Sequence, residues 1–101
     1  MPAYFLFDVR EINDEPKMAE YRSKVFSVVE RFGGKYRVVG GSQQPLEGDL
    51  NFSFPVLIEF DTVENARKWY DAPEYQGLKA LRLAATKGDM VLIDGNVNAL
   101  N

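Results

Sequence analysis

The chain has 101 residues, 46% of them hydrophobic and 13% aromatic, with a formal charge of -3 and an isoelectric point near 4.9. That length holds one domain over residues 1–101, the apolar content suffices for a core, and the acidic balance argues against a nucleic-acid protein. Histidine and cysteine are both absent, which removes disulfides, thiolate nucleophiles, the usual zinc and haem ligands and any Ser-His-Asp triad. Tyr4 to Arg10 predicts a strand, with Phe5, Phe7 and Val9 on one side and Tyr4, Leu6, Asp8 and Arg10 on the other. Asn13-Asp14-Glu15-Pro16 is a helix start, with a capping side chain, early acids and a first-turn proline. From there Met18, Tyr21, Val25, Val28, Val29 and Phe32 recur at helical spacing, until Gly33-Gly34 ends the run.

Lys35 to Val39 predicts a second strand, with Tyr36 and Val38 on the core side and a break or bulge at Gly40-Gly41. Residues 42–53 form a long polar connection, either a binding or lid loop or a plain hairpin tip. Val56 to Phe60 is the third strand, and Asp61-Thr62-Val63-Glu64 resembles a capping box. Val63, Ala66, Trp69 and Tyr70 give that helix its apolar side, and Pro73 stops it. A further helical piece restarts at Glu74, with Leu78, Leu81 and Ala85 inward and Tyr75 and Arg82 on its flank, and is closed by Gly88. Met90 to Asp94 is the fourth strand, and Gly95 to Asn101 a frayed or docking tail. No apolar run approaches the roughly 20 residues of a membrane-spanning helix. The start leads into strand-like sequence rather than a basic signal flank. A cytoplasmic protein without membrane contact is the expectation.

The order strand, helix, strand, strand, helix, strand is the split βαβ plan. Right-handed crossovers put both helices on one face of a four-stranded antiparallel sheet, with the first and third strands central. The fold class is therefore α+β, a ferredoxin-like βαββαβ domain. Assigning Val91 and Ile93 to the core leaves Tyr4, Leu6, Val39, Leu57, Met90 and Leu92 on the other face, mixed with charged residues. Hiding several hundred Å² of such surface is worth on the order of 10 kcal/mol before association costs. A second copy, sheet to sheet, is the simplest cover, and it predicts a homodimer with a chamber between the sheets.

Leu57-Ile58-Glu59-Phe60, Ala66-Arg67, Trp69-Tyr70, Pro73-Glu74-Tyr75, Leu81-Arg82 and Gly88-Asp89 together resemble a bacterial family of domains of unknown function, the one numbered thirteen-thirty. Gly33-Gly34-Lys35-Tyr36, Gly40-Gly41 and Leu46-Glu47-Gly48 fit the same pattern, so the resemblance covers nearly the whole chain. It implies the dimeric α+β barrel fold and no reaction. The wider fold group includes cofactor-free monooxygenases, haem-degrading enzymes and isomerases. Its histidine-dependent members are a poor guide to a chain without histidine.

Asp8, Arg37 and Glu59 fall on the mixed face and are the candidate catalytic set. Arg37 would clamp a carboxylate or enolate, and a desolvated Glu59 would act as general base. The alternative is a structural ion pair between Arg37 and Glu59 across adjacent strands. Trp69, Tyr70 and Tyr75 either line an aromatic pocket with Arg82 at its rim or pack the helix break. Tyr21 is core or presents its hydroxyl to a cavity, and Tyr4 is interface or pocket wall. Asp8, Glu59, Asp89 and Asp94 are the only oxygen ligands in prospect for a hard cation, without a dense loop motif, and no cofactor or metal is expected. Two functions follow. One is a dimeric cofactor-independent enzyme (isomerase, monooxygenase or proton-transfer type) acting on a small organic acid or ketone. The other is a non-catalytic ligand-binding or stress-associated protein.

Overall fold

A computed structural model describes residues 1–96. Its strands are β1 (Ala3–Ile12), β2 (Lys35–Val39), β3 (Pro55–Phe60) and β4 (Thr86–Asp94), and its helices α1 (Glu15–Arg31), α2 (Val63–Asp71) and α3 (Pro73–Ala85). The antiparallel sheet has the order β2-β3-β1-β4, with β1 and β3 central as the split βαβ plan requires. The second crossover is two helices rather than one, because Ala72 is extended (ψ 140°) ahead of Pro73. The predicted tail beyond residue 96 lies outside the described residues.

Local chemistry explains the helix ends. Asp14 caps α1 by accepting from the Lys17 amide, and Thr62, not Asp61, caps α2 by accepting from the Asn65 amide. The capping box read at Asp61 is thus replaced by a single cap at Thr62, since Asn65 rather than an acid stands three residues on. Gly88 does not close α3. The helix passes straight into β4 at Thr86, whose hydroxyl donates to the Arg82 carbonyl. Gly88 instead lies opposite Val9 inside the β1–β4 ladder. A Cβ there would stand 2.0 Å from the Asp8 carbonyl oxygen, so only glycine allows the two backbones to approach this closely.

The helices cover one face. Phe5, Phe7 and Val9 of β1, Val56, Ile58 and Phe60 of β3, and Met18, Tyr21, Val25, Val28 and Val29 of α1 are all buried with Ala66, Trp69, Tyr75, Leu78 and Ala85. The Cα extents of 46 × 32 × 16 Å leave room for one sheet and one helical layer. Among the described residues the other sheet face has no covering layer.

Two strand facings differ from the sequence reading. In β4, Leu92 opposes Phe5 and Met90 opposes Phe7, so these two face the helices. Val91 and Ile93 lie on the open face, 52% and 43% exposed. Met90 to Ile93 is apolar at every position, so alternation carries no facing signal, and a shift of one residue flips the set. In β2 the register shifts at Arg37, so that Val38 opposes Leu57 and Val39 opposes Val56. This bulge sends Val38 to the open face and Val39 to the helix face, the reverse of strict alternation. The open face is therefore built from Tyr4, Leu6, Val38, Leu57, Val91 and Ile93, with Asp8, Lys35, Arg37 and Glu59 among them.

Candidate functional site

Two features of the helix-covered side meet at Tyr21. One is an aromatic cluster around Trp69, which is 0% exposed. Its ring centroid is 4.2 Å from Tyr75, 5.2 Å from Phe5 and 5.8 Å from Phe60, and its indole N–H is buried without an acceptor. Edge-to-face and offset contacts of this kind add to the area they bury. Trp69 and Tyr75 meet because Pro73 bends the chain between them, which is what the helix break accomplishes here.

The second feature is polar. α1 and α3 pack side by side, and the Tyr21 and Tyr75 hydroxyls share a hydrogen bond of 2.9 Å between them. Arg82, one face of α3 beyond Tyr75, donates from Nε to the Tyr75 hydroxyl at 3.4 Å. Its guanidinium carbon lies 5.8 Å from the Phe7 ring centre. Arg82 is only 7% exposed, and among the described residues it has no carboxylate partner. A buried charge is normally paired, since desolvating an ion costs several kcal/mol. Arg82 and Tyr75, placed on a flank by the sequence, are interior residues.

Electrostatics keep this cluster in one protonation state near neutral pH. Burial pushes the Tyr21 phenol well above its usual range, with the Tyr75 hydroxyl adding to the effect. Burial, reinforced by Tyr75, likewise raises Tyr36. For Arg82 burial works against the charge, but the phenolic oxygens of Tyr75 and Tyr21 outweigh it and the net direction is upward. The Tyr21 and Tyr36 phenols are therefore hydrogen-bond donors, not bases, and the guanidinium stays charged. The unfolded chain releases tyrosine protons near pH 10 while the folded chain keeps those of Tyr21 and Tyr36. Stability should then be flat below about pH 10 and fall above it, by about 1.4 kcal/mol per pH unit for each retained proton. Thermal unfolding followed from pH 8 to 12 checks this, with Tyr36→Phe halving the slope.

Tyr21 and Tyr36 also line an apolar cavity of about 160 Å³ between α1 and the sheet. Phe7, Val9, Met18, Val25, Val39 and Val56 form the other walls. Ile12, Arg22, Phe26 and Phe54, all exposed, surround the opening, and Arg22 is paired with Glu15 at 3.0 Å. Among the described residues no carboxylate lines this cavity.

The predicted catalytic set is divided. Arg37 and Glu59 form the cross-strand ion pair at 3.1 Å on the open face, both in contact with solvent. A pair this exposed contributes at most about 1 kcal/mol. Asp8 opposes Pro55 while Glu59 opposes Tyr4, four residues along the same ladder. That separates them by about 13 Å. The Asp8 carboxylate accepts from the backbone amides of Ser53 (3.1 Å) and Phe54 (2.7 Å), so it anchors the end of the long loop. Tyr4 stands on the open face beside Glu59 and Ile93. Asp89 opposes Asp8, and Asp94 opposes Ala3 at the far end of the ladder. No group of three or more carboxylates among the described residues is placed to hold a metal ion.

Tyr21, Trp69, Tyr75 and Arg82 are thus brought together, while Tyr4, Asp8, Arg37 and Glu59 lie elsewhere. The apolar pocket is on the helix side of the sheet, whereas a chamber on the open face would be formed only with a second copy. Tyr36 and Phe54 were missed as pocket residues. A hydroxyl in the otherwise hydrocarbon row Phe5, Phe7, Val9, Val56, Ile58 was the signal for Tyr36.

Among the described residues no helix is long and apolar enough to cross a membrane. Solved structures of the same fold include a protein of unknown function from Rhodopseudomonas palustris, 21% identical, with a TM-score of 0.72. That match covers 94% of this chain and 82% of the other. An ethyl tert-butyl ether (EthD) family protein from Bacillus halodurans is 13% identical over 95% of this chain and 100% of its own, with a TM-score of 0.60. A dimeric ferredoxin-like protein of unknown function from Thermobifida fusca is 16% identical over 93% and 91% of the two chains, with a TM-score of 0.52. These likenesses show the ferredoxin-like α+β fold. Comparison with curated proteins gives no match. The sequence model described as Domain of unknown function (DUF1330) matches residues 2–96, and the chain belongs to that family.

Proposed function

We propose that this protein is a cofactor-independent enzyme that stabilises the enolate of a compact organic acid or ketone, the proton passing to water at the cavity opening because no carboxylate lines the cavity among the described residues. Its substrate would occupy the cavity between α1 and the sheet, with an oxygen turned toward the Tyr21–Tyr75–Arg82 relay. The observation that carries this reading is the buried Arg82, which has two phenols and, among the described residues, no carboxylate partner around it. Holding a cation in this way works against the fold, and such groups concentrate at functional sites. An enolate or carboxylate oxygen supplies the missing negative charge, and preorganised donors stabilise it most strongly where water is excluded. The volume limits the ligand. A cavity of about 150 Å³ accepts benzene, so about 160 Å³ fits one ring or a chain of similar bulk.

The pocket's lack of a carboxylate among its lining residues favours a second reading, retention of an organic acid without turnover. In either case a second copy of the chain is the expected cover for the open face. The dimeric nature of the Thermobifida fusca protein supports that expectation, as do the exposed Val91 and Ile93.

A thermal-shift screen with single-ring and short-chain ketones and carboxylic acids, followed by turnover assays, tests the proposal. Sedimentation of the same samples reads the assembly. Stabilisation lost in Tyr21→Phe and kept in Glu59→Gln and Arg37→Ala is the expected pattern. Binding without any product leaves the retention reading. Activity abolished by Glu59→Gln but indifferent to Tyr21→Phe would move the chemistry to the open face, as the sequence alone suggested.

A further inference from the structure

We infer that Phe54 is the gate of the cavity between α1 and the sheet and that Asp8 is its latch. Phe54 sets how fast, and how large, a molecule enters. The inference rests on reading that cavity as the ligand site.

Besides Arg22, four large exposed apolar side chains stand where the cavity meets solvent, and three of them are fixed by regular structure. Ile12 ends β1, and Phe26 sits in α1 with its ring centroid 4.5 Å from that of Tyr36. Val39 is held in the β2–β3 ladder opposite Val56. Phe54 alone comes from irregular chain, at the end of the connection between β2 and β3, and it is 44% exposed. Its position depends on a few discrete bonds. The amides of Ser53 and Phe54 both donate to the Asp8 carboxylate, and the Phe54 carbonyl accepts from the Val9 amide at 3.1 Å. Behind it, the Gln43 side chain accepts from the Phe52 amide at 2.9 Å and donates to its carbonyl at 2.6 Å, which closes the neck of the loop.

The ring also has a seat. Gly40 has φ +66°, and a Cβ placed on it would be 2.3 Å from Cε2 of Phe54. The glycine thus serves two purposes, a left-handed turn and a flat bed for the ring. Asp8 is consequently a positioning residue. Its carboxylate accepts both amide hydrogen bonds at once, and charge-assisted bonds are the stronger kind. When the latch opens, the loop carries Phe54 off Gly40 and the wall beside Val9, Val39 and Val56 is exposed.

Xenon is a suitable probe because it enters apolar cavities without needing the natural ligand's polar contacts. Xenon NMR on the full-length protein would read its exchange between cavity and solvent, beside amide hydrogen exchange at Ser53 and Phe54. Wild type should bind xenon in slow exchange. Phe54→Ala, Gly40→Ala and Asp8→Ala should each speed exchange at least about tenfold, the scale of losing one charge-assisted hydrogen bond from a closed state. Asp8→Asn, which keeps one acceptor oxygen, should fall between Asp8→Ala and wild type. Phe54→Leu serves if Phe54→Ala does not fold. On top of Phe54→Ala, Gly40→Ala should lose the part of its effect that acts through the ring and keep only the strain of its left-handed backbone.

Equal exchange rates in all the proteins overturn the gate while leaving the ligand site intact. So does fast exchange in wild type. Fast exchange in Phe54→Ala with no change in Asp8→Ala overturns the latch. If xenon enters neither wild type nor Phe54→Ala, the cavity is filled in solution and both readings fall. Gated xenon entry with no stabilisation by any organic acid or ketone upholds the gate and sinks the proposed substrate class.

Discussion

Replacing Arg82 by Met is expected to leave the protein as stable as wild type, or more stable by about 1–4 kcal/mol, while weakening ligand binding. The two halves of that result come from the same feature. Arg82 is almost fully buried, and among the described residues its guanidinium has only the Tyr75 hydroxyl as a hydrogen-bond partner. A thioether side chain of similar length fills the space and removes the cost of keeping an ion out of water. Tyr21 and Tyr75 still bond each other at 2.9 Å when Arg82 is gone, so no buried hydroxyl is orphaned. A bound oxyanion, by contrast, loses the charge that stands behind Tyr21 through Tyr75, since Arg82 does not itself line the cavity. Acting at one remove, that charge should be worth no more than the lower end of a charged hydrogen bond, about 1.5 kcal/mol, so affinity should fall about tenfold. Thermal unfolding with and without ligand measures both quantities on one sample. A variant that loses several kcal/mol of stability without ligand would make Arg82 a structural group. The case for an oxygen-binding relay would then collapse.

Truncating Trp69 to Ala is expected to cost about 3–5 kcal/mol, the largest stability loss of any single change considered. The indole touches the Phe5, Phe60, Tyr70 and Tyr75 rings and joins both halves of the second crossover to the sheet. Total stability of a domain this size is about 5–15 kcal/mol, so the variant should melt about 15–30 °C lower. Trp69→Phe isolates a different effect. It loses part of the contact but also removes a buried indole N–H that has no acceptor. An unsatisfied buried donor costs about 1–3 kcal/mol, so the net loss for Phe should be small, under about 2 kcal/mol. Denaturant unfolding with tyrosine fluorescence would compare the three proteins. Equal large losses for Ala and Phe would mean that the N–H has a partner in solution.

The wiring of the pocket also bears on how the chain reads as a sequence. Strand, helix and loop identities were legible because each carries a local chemical signal. Alternation marks β1 and β3, the stripe from Met18 to Val29 marks α1, and Asp14, Thr62 and Pro73 punctuate the helices. Facing was legible only where one side of a strand was polar. β1 satisfies that condition through Asp8 and Arg10, but Met90 to Ile93 does not, and there the expected facing was reversed. The bulge at Arg37 had no residue signature, since it arises from how β2 fits β3 rather than from β2 itself.

Site residues divide along the same line. Tyr21, Trp69, Tyr75 and Arg82 stood out as polar or amphipathic groups on or beside apolar stripes, and helix periodicity placed them near enough to the core to meet. Asp8, Arg37 and Glu59 stood out equally, yet a shared sheet face says nothing about distance along the strands. Sequence by itself determined the βαββαβ order, the ends of α1, the break at Pro73, and the exclusion of histidine and thiolate chemistry, because these depend on composition or on neighbours a few positions apart. Only the tertiary structure decided that Arg82 is buried against phenols, that the cavity lies under α1, and that Asp8 holds a loop. Each of those joins residues distant along the chain, and their contacts are set by register, crossover and packing, which local patterns do not encode.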